Sequence, residues 1–390
     1  MDTSDPGIEF DADGVCNRCS DYEVRRAAYT PTLELRETLL QREVDRIRDE
    51  GRGKDYDCVI GVSGGVDSTY TAYLVKQMGL RPLAVHLDNG WNSELAVANI
   101  EKCLKTLGID LYTMVLDWDE FRELQLAFLK ASTPDSEVPS DHAIVSCIKW
   151  KAHELGVRNF ILGTNVATEG IYAPMWSYGH TDWKYINSLN RLFGTRPLKT
   201  FPHCTLAQNM YLRYVCRQKN FSILNYVDYH KEEALRILER TLGYVRYAGK
   251  HHESVYTRFY QSYILPVKFG FDKRRPHFSG LIMAGQITRQ HALEEMHKPP
   301  MDPAHVREDK VFVAKKLGLT ETEFDAIMAL PCKAFTDYPS YEKTWLVSLR
   351  RVFVRRKLAW LASRGAEQES RGRQEAVAAP VLPSAPTPEP

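Results

Sequence analysis

Residues 57–68 read Asp-Cys-Val-Ile-Gly-Val-Ser-Gly-Gly-Val-Asp-Ser, a short apolar run that ends in small and polar residues. The run from Cys58 to Val62 predicts a buried strand, and the apolar spacing after Asp67 predicts a helix. Adjacent glycines let backbone N–H groups approach an anion closely, because no Cβ stands in the way. The N-terminus of the following helix adds partial positive charge. The stretch therefore predicts a phosphate-binding loop between a strand and a helix.

Two common phosphate-binding loops do not fit this stretch. It lacks the Lys-Ser or Lys-Thr pair of the mononucleotide P-loop and the Gly-x-Gly-x-x-Gly of the dinucleotide fingerprint. Ser-Gly-Gly-x-Asp-Ser after a strand instead resembles the PP-loop of ATP pyrophosphatases, which cleave ATP between its α- and β-phosphates. The alternative interpretation is an ordinary glycine-rich turn that holds no ligand.

Composition and charge narrow the class of protein. The chain has 390 residues, of which 51 are basic and 50 acidic, and its formal net charge of +1 argues against a non-specific nucleic-acid binder. No apolar run reaches the length of a membrane-spanning helix, and the acidic start Met1–Asp5 does not resemble a signal peptide. Scattered cysteines without such a signal are typical of reduced thiols. We therefore expect a cytoplasmic protein with no membrane span and no nucleic-acid partner.

Strands are predicted to alternate with helices after the loop. Apolar runs predict strands at Pro82–Asp88, 111–116 and 159–162, with helical spacing between them. Such repeated units predict an α/β fold whose parallel sheet is covered on both faces, with ligands beyond the carboxyl ends of the strands. Four features fall at those ends and are expected to face one crevice: residues 63–68, residues 88–90, the loop after Leu116, and residues 163–165.

The chain divides into four predicted regions that differ in composition. The last one is rich in proline and poor in large apolar side chains, which predicts disorder. The regions are residues 1–50, a short Cys-containing segment and a helix; 51–245, the sheet domain; 246–364, a cationic and mostly helical substrate region with a basic helix at 341–362; and 365–390, the disordered tail.

Three polar segments are predicted to surround the crevice. Residues 132–142 carry three carboxylates and two prolines, which predicts either a solvated loop in which Ser140 or Asp141 caps the next helix, or a lid that holds Mg²⁺ or substrate. Residues 166–205 predict an aromatic loop region, whose side chains either contact sugar rings and bases or pack beneath a long loop. Residues 247–279 interleave cations with aromatic residues, which predicts either phosphate binding or a salt-bridged surface.

Taken together, the motifs resemble one family, the bacterial N-acetyl sugar amidotransferases of surface-polysaccharide biosynthesis. The PP-loop alone defines a superfamily, whereas the later motifs make the resemblance specific. It covers roughly residues 1 to 300. The motifs are Met1–Pro6, Phe10-Asp11 with Gly14–Cys19, Ser63–Ser68, Pro134–His142, Gly163–Glu169, Gly249–Ser254 and Lys268–Arg274.

The resemblance implies a PP-loop domain of the adenine-nucleotide alpha-hydrolase type and a two-step reaction that uses ATP and Mg²⁺. The amide oxygen of a nucleotide-activated N-acetyl sugar would attack the α-phosphate, and ammonia would then displace AMP to give an acetamidino sugar. The implied catalytic residues are Asp67, Lys250, Lys273 and Arg274; those at ATP are Ser63, Gly64, Gly65, Asp67, Ser68, Asp88, Gly163, Thr164 and Asn165; those at the sugar are Asp141, Glu169, His251, Glu253, Lys268, Asp272 and His277. Asp67 is the implied Mg²⁺ ligand, alone or with Glu169.

Zinc and ammonia are further expectations. Cys16 and Cys19 have the spacing of half a zinc site, but no second pair follows, and the resemblance implies that a further pair usually precedes the Met1–Pro6 stretch. Either the true start lies upstream or this member lacks half of the site. No glutaminase domain is recognised in the chain. By resemblance, a separate glutaminase would deliver ammonia, with a cyclase-like subunit as the candidate conduit.

Two other functions remain open at this stage. One is a tRNA-modifying PP-loop enzyme that adenylates a base before adding sulfur or an amine; it needs a reactive cysteine pair, and Cys58 and Cys147 do not make a convincing one. The other is a non-catalytic subunit that retains the fold as a scaffold. The intact small and polar residues of the loop argue against the scaffold.

Overall fold

A five-stranded parallel sheet forms the centre of the protein. The computed structural model describes residues 1–247, 253–342 and 344. The strand order is β3-β2-β1-β4-β5, which confirms the predicted α/β class. The strands are β1 (Cys58–Gly61), β2 (Pro82–Asp88), β3 (Asp110–Val115), β4 (Asn159–Ile161) and β5 (Lys219–Phe221).

Helices occupy most of the remaining described chain. They include the predicted helices of the sheet domain and a helical C-terminal region, which the sequence also predicts. The helices are α1 (Asn17–Tyr29), α2 (Leu33–Glu50), α3 (Val66–Gln77), α4 (Glu94–Leu107), α5 (Trp118–Ala131), α6 (Val138–Glu154), α7 (Val166–Glu169), α8 (Trp183–Phe193), α9 (Leu206–Met210), α10 (Lys231–Leu242), α11 (Val255–Phe259), α12 (Arg274–Met283), α13 (Arg289–His297), α14 (Pro303–Leu317) and α15 (Glu321–Met328).

Strand β1 lies in the middle of the sheet and fixes where a ligand can enter. It pairs with β2 on one side and with β4 on the other, so Val59 faces Leu83 and Phe160 across the two ladders. The chain builds outward through β2 and β3, then crosses back to β4. Crevices that bind ligands in such sheets open at this reversal, beyond the carboxyl ends of the strands. Here that position is the end of β1.

Two apolar clusters cover the two faces of the sheet. Successive residues of β1 point to opposite faces, so Val59 packs into one cluster while Cys58 and Ile60 pack into the other. All three side chains are fully buried. Burial on both faces explains why β1 and β2 appear in the sequence as continuous apolar runs without alternation.

The C-terminal helices share one of these clusters. Phe259 of α11 and Phe324 of α15 are fully buried in the same cluster as Val59. Arg258 forms an ion pair with Asp309 of α14, with 2.6 Å between Nη2 and Oδ1. The helices of the C-terminal region are therefore packed against the sheet domain in the described structure.

Three local predictions are wrong. Helix α6 begins at Val138, so its N-cap is Glu137 and neither Ser140 nor Asp141, because the fixed backbone angle of Pro139 suits the first helical turn. The segment expected to be an aromatic loop contains α8, whose buried Tyr185, Ile186 and Leu189 follow a helical period that the sequence pattern carries. The segment 206–220, expected to be helical throughout, ends in β5.

Two predicted C-terminal segments cannot be compared with the described structure. The basic helix expected at 341–362 and the disordered tail at 365–390 lie almost entirely outside the described residues.

Within residues 1–247, 253–342 and 344, no helix combines the length and apolar character that a bilayer crossing requires.

Truncating the centre of β1 tests whether this strand anchors the fold. Ile60→Ala should lower the free energy of unfolding by about 2–5 kcal/mol, because Ile60 is fully buried and the cavity would be lined by packed side chains. Urea denaturation followed by circular dichroism measures the change. Leu33→Ala is the control, since Leu33 is 75% exposed at the start of α2 and its loss should change stability little.

Candidate active site

The loop between β1 and α3 folds back on itself through its serines. Ser68 Oγ accepts from the backbone N–H of Ser63 at 3.2 Å and donates to the carbonyl of Gly65 at 3.1 Å. Gly64 has a φ of +82°, a conformation that glycine adopts without strain. Gly65 caps α3 without a side chain, so no side-chain oxygen occupies the helix N-terminus. The loop thus has the form of an anion cradle.

The end of β4 closes one side of this cradle. A Cβ placed on Gly163 would lie 2.8 Å from the carbonyl carbon of Asp67 and 3.0 Å from the nitrogen of Ser68. The backbone after β4 and the first turn of α3 are therefore in direct contact. Only a residue without a side chain permits this approach. The predicted residues of the loop and of 163–165 are brought together.

The neighbouring strand ends carry polar side chains that hold their own loops. Asp88 Oδ1 accepts from the N–H of Gly90 at 2.8 Å, directly after β2. Asn165 caps α7 by accepting from Thr168 N at 2.8 Å, and the hydroxyl of Thr164 lies 2.9 Å from that of Ser222. These side chains shape the rim of the crevice.

Asp67 forms a hydrogen bond with a residue that no sequence motif marks as part of the site. The hydroxyl of Tyr229 donates a hydrogen bond to the carboxylate of Asp67. Burial, together with the negative charges of Asp67 and Glu169, raises the pKa of Tyr229, so the phenol stays protonated as a donor. Asp67, Glu169 and Tyr229 therefore share one neighbourhood. Tyr229 lies in a turn before α10, where no motif marks it.

Two further tyrosines and Glu253, all from later in the chain, lie against the phosphate loop between β1 and α3. The hydroxyls of Tyr244 and Tyr247 donate to the carbonyl of Gly64 at 3.0 and 3.1 Å. Glu253 Oε1 lies 3.5 Å from the position that a Cβ on Gly65 would take. The predicted residues Lys250 and His251 lie outside the described residues. The predicted Glu253 is thus brought to the phosphate loop. Tyr247 opens the predicted segment 247–279, whereas no predicted polar segment includes Tyr244.

A charge cluster around the buried Asp135 occupies the acidic segment. His180 Nε2 lies 3.2 Å from Asp135 Oδ2 and 3.3 Å from Asp141 Oδ2. Burial opposes the charge on His180, but the hydrogen bond to Asp135 and the charge of Asp141 outweigh it and raise the pKa of His180 to about 9. Burial likewise opposes ionisation of Asp135, but His180 lowers the pKa of that carboxyl to about 2. The pair is therefore ionic at neutral pH.

Two of the predicted phosphate-binding cations are engaged elsewhere. Lys268 Nζ donates to the carbonyls of Ile327, Met328 and Leu330 at 2.7 to 3.0 Å, at the end of α15. Arg274 pairs with Asp272 at 2.8 Å and donates to carbonyls at the end of α13. Cations at a helix C-terminus satisfy its free carbonyls.

The remaining predicted side chains of this segment lie on α12 or just before it. The positive charge of Lys273 acts on Asp135 in the acidic cluster. His277 lies on α12 with its ring centroid 5.8 Å from that of Phe278. Lys273 is therefore the cation of this motif that the structure places beside the acidic segment.

Cys16 and Cys19 lie together without further ligands. Their sulfur atoms are 3.4 Å apart at the start of α1. Within the described part of the chain, no three His, Cys, Asp or Glu side chains are arranged to hold a metal ion. A structural zinc site requires four ligands, so the structure does not support the predicted zinc.

A family comparison matches the C-terminal part of the chain. The model described as "LPS biosynthesis protein WbpG-like, C-terminal domain" matches residues 253–351, about a quarter of the 390 residues. This range begins at Glu253, beside the phosphate loop, and includes Lys268 and Lys273. The match confirms the predicted resemblance to a surface-polysaccharide family over this range.

Comparison with curated proteins gives partial matches. A stretch of 89 residues is 42% identical to the glutamine-hydrolyzing GMP synthase of Pyrobaculum aerophilum and covers 23% of this chain and 17% of that protein. A stretch of 129 residues is 32% identical to tRNA-specific 2-thiouridylase MnmA 1 of Caldanaerobacter subterraneus subsp. tengcongensis and covers 28% of this chain and 35% of that protein. The chain thus spans roughly a sixth to a third of these relatives.

Comparison with solved structures gives distant likenesses. NMN synthetase from Francisella tularensis is 16% identical, with a TM-score of 0.31, over 66% of this chain and 95% of that chain. NH3-dependent NAD synthetase from Campylobacter jejuni is 12% identical, with a TM-score of 0.30, over 76% of this chain and 97% of that chain. At these scores the likenesses say nothing about substrates.

The contact between β4 and α3 predicts the effect of a single methyl group. Gly163→Ala should weaken ATP binding and also lower stability, because the Cβ would meet backbone atoms and push Asp67 and Ser68 out of the cradle. Isothermal titration calorimetry with ATP measures the affinity. Gly156→Ala is the control: its Cβ meets open space at a φ of +64°. This control should lose about 1–2 kcal/mol of stability from its left-handed backbone and keep its ATP affinity.

Proposed function

We propose that this protein is an ATP-dependent amidotransferase that converts the acetamido group of a nucleotide-linked N-acetyl sugar into an acetamidino group. The observation that carries the proposal is the glycine loop in front of an uncapped α3, with Asp67 in the first helical turn. That arrangement suits a pyrophosphate group and lacks the lysine of a γ-phosphate-transferring loop. Cleavage at the α-phosphate leaves AMP on the acceptor oxygen.

The first step consists mainly of positioning and charge neutralisation. Backbone N–H groups at Gly64, Gly65 and the start of α3 would hold the departing pyrophosphate, with Ser63 and Ser68 as hydroxyl donors. The amide oxygen forms a bond to the α-phosphorus while the bond to the pyrophosphate oxygen breaks. An amide oxygen is a poor leaving group, and its adenylation makes the next substitution feasible.

The carboxylates at the loop fit a divalent cation. Asp67 is oriented by the hydroxyl of Tyr229, and Glu169 lies close enough for its charge to act on that phenol. Oxygen ligands of this kind suit Mg²⁺, which usually keeps several waters and binds substrate phosphates. Mg²⁺ bound there would neutralise charge on the phosphates. Asp67 is the proposed ligand, with Glu169 beside it.

The choice of sugar substrate rests on the C-terminal region. Its match to a lipopolysaccharide-biosynthesis domain begins at Glu253, which lies beside the phosphate loop. Trp176, in the aromatic segment, is buried and stacks on Phe271 with ring centroids 4.7 Å apart, so it packs this segment against the C-terminal region and does not itself contact a sugar. Ammonia is proposed to come from a separate glutaminase, with a cyclase-like subunit as its conduit.

The partial similarity to a tRNA-specific 2-thiouridylase supports a second candidate function, that of a tRNA-modifying enzyme. Such an enzyme needs a reactive cysteine, because the thiolate is the nucleophile. Cys58 and Cys147 are both buried, and burial raises the pKa of each thiol, that of Cys147 to about 11. Neither thiol is activated for catalysis. Tight binding of bulk tRNA at physiological salt, measured by filter retention, would favour this second function.

The proposed reaction is tested by its products. With ATP, Mg²⁺, ammonium and a panel of nucleoside-diphosphate N-acetyl sugars, the protein should release AMP and pyrophosphate in proportion to one sugar of the panel. Asp67→Ala should reduce AMP release at least about 10²-fold, the scale on which loss of one electrostatic contact at a reacting phosphate acts. Chromatography of the nucleotides provides the measurement.

A matched acidic control separates the site from general effects of charge. Asp228→Ala removes a carboxylate whose side chain is 77% exposed and which directly precedes Tyr229. It should leave AMP release unchanged. Equal turnover by Asp67→Ala and the wild type would contradict the site assignment, and no AMP release with any sugar of the panel would contradict the reaction.

A further inference from the structure

The first turn of α6 brings Glu137 to the crevice. Helix α6 ends at Glu154, a few residues before β4 begins, so its C-terminus lies at the amino edge of the sheet and its N-terminus at the carboxyl edge. Asn89, directly after β2, donates to Ser140 Oγ at 3.1 Å and ties this end of α6 to that edge. As the N-cap of α6, Glu137 lies at the same edge as the phosphate loop.

The carboxylate of Glu137 is held by neutral donors. Thr257 Oγ1 donates to Oε1, and Gln261 Nε2 donates to Oε2 at 3.4 Å. Asp135, two residues earlier, is neutralised by His180 at 3.2 Å. Within residues 1–247, 253–342 and 344, no lysine, arginine or histidine forms an ion pair with Glu137. When Glu137 is ionised, its charge is thus oriented by neutral donors, with no cation in contact among the described residues.

A short path connects Glu137 with the phosphate loop. Thr257 lies in α11, four residues after Glu253, and Ser254 caps that helix. The carbonyl of Glu253 accepts from Ser93 N at 2.8 Å, and its carboxylate lies beside Gly65. About one helical turn of chain therefore separates Glu253, beside the phosphate loop, from Thr257, which orients Glu137. A substrate activated at the loop would extend toward this carboxylate.

The charges around Glu137 tune its proton affinity. Burial and the charges of Asp141 and Asp135 raise the pKa of Glu137 to about 8, against the hydrogen bond from Thr257 and the positive charge of Lys273. His180, between the two aspartates, is the other charged group of this cluster. A group that titrates close to the working pH is an efficient proton acceptor.

Resting on the proposed function, we propose that Glu137 is the catalytic base that accepts a proton from the incoming ammonia. This assignment is supported by the position at the crevice, by the two neutral donors, and by the lack of an ion-pair partner among the described residues. It concerns the second step of the reaction, in which nitrogen replaces oxygen. Adenylation of the amide does not involve Glu137.

In that step one bond forms, one breaks and one proton moves. The lone pair of ammonia attacks the carbon of the O-adenylyl imidate and forms the C–N bond. The new ammonium group of the adduct gives one proton to Glu137. The C–O bond then breaks, its electron pair leaves with AMP, and the two nitrogens share the positive charge of the amidinium product. Glu137 returns its proton to water.

The two half-reactions test the proposal. Glu137→Gln keeps the size of the side chain and removes the base. It should catalyse sugar-dependent ATP–pyrophosphate exchange without ammonia at close to the wild-type rate, and lose at least about 10²-fold in amidine formation, the usual scale of general-base catalysis. In the wild type, amidine formation per unprotonated ammonia should rise with pH and level off above about 8, as the carboxyl ionises. The variant should show no such rise.

A second carboxylate of α6 provides a control for the role of Glu137. Glu154→Gln removes a carboxylate at the other end of α6 whose side chain is 67% exposed, and both half-reactions should be unchanged. Equal amidine formation by Glu137→Gln and the wild type would overturn the assignment of Glu137 alone. Loss of exchange together with amidine formation in Glu137→Gln would also overturn it, because the residue would then act before ammonia. A wild type inactive in both assays would overturn the proposed function and this inference with it.

Discussion

The candidate site depends on one close approach of two backbones. The chain after β4 passes so near the first turn of α3 that Gly163 has no room for a side chain. This contact is possible because β1 pairs with β4 as well as with β2, which places the reversal of the sheet directly at the phosphate loop. The cradle is thus a product of sheet order, loop conformation and a missing Cβ acting together.

The second element of the site comes from far along the chain. The segment that begins at Glu253 runs beside the loop after β2, where Asn92 and Ser254 form an isolated bridge. The helices that follow bury Phe259 and Phe324 in the cluster that covers one face of the sheet. Packing of these helices therefore holds Glu253 beside the loop and Thr257 against Glu137. A region that matches a separate family model supplies part of the crevice of the sheet domain.

Cations and tyrosines illustrate what motifs can and cannot reveal. Lys268 and Arg274 stand in a conspicuous basic motif, yet their donors satisfy carbonyls at the ends of α15 and α13. Those helices lie later in the chain, so local sequence cannot disclose the partner. Conversely, Tyr229 and Tyr244 contact the phosphate loop from turns that carry no motif. Their roles arise from the path of the chain between distant elements.

The sequence by itself determined the strand, loop and helix around Ser63–Ser68, the bounds of β2, and the α/β class, because periodicity and glycine conformation are local properties. It also singled out Glu253, which the structure places beside the loop. The tertiary structure alone decided that α6 begins at Val138, that Tyr229 bonds to Asp67, and that, within the described residues, Asp135 has an ion-pair partner and Glu137 has none. The reason is physical: the charge balance of a buried group depends on neighbours that folding brings from other parts of the chain.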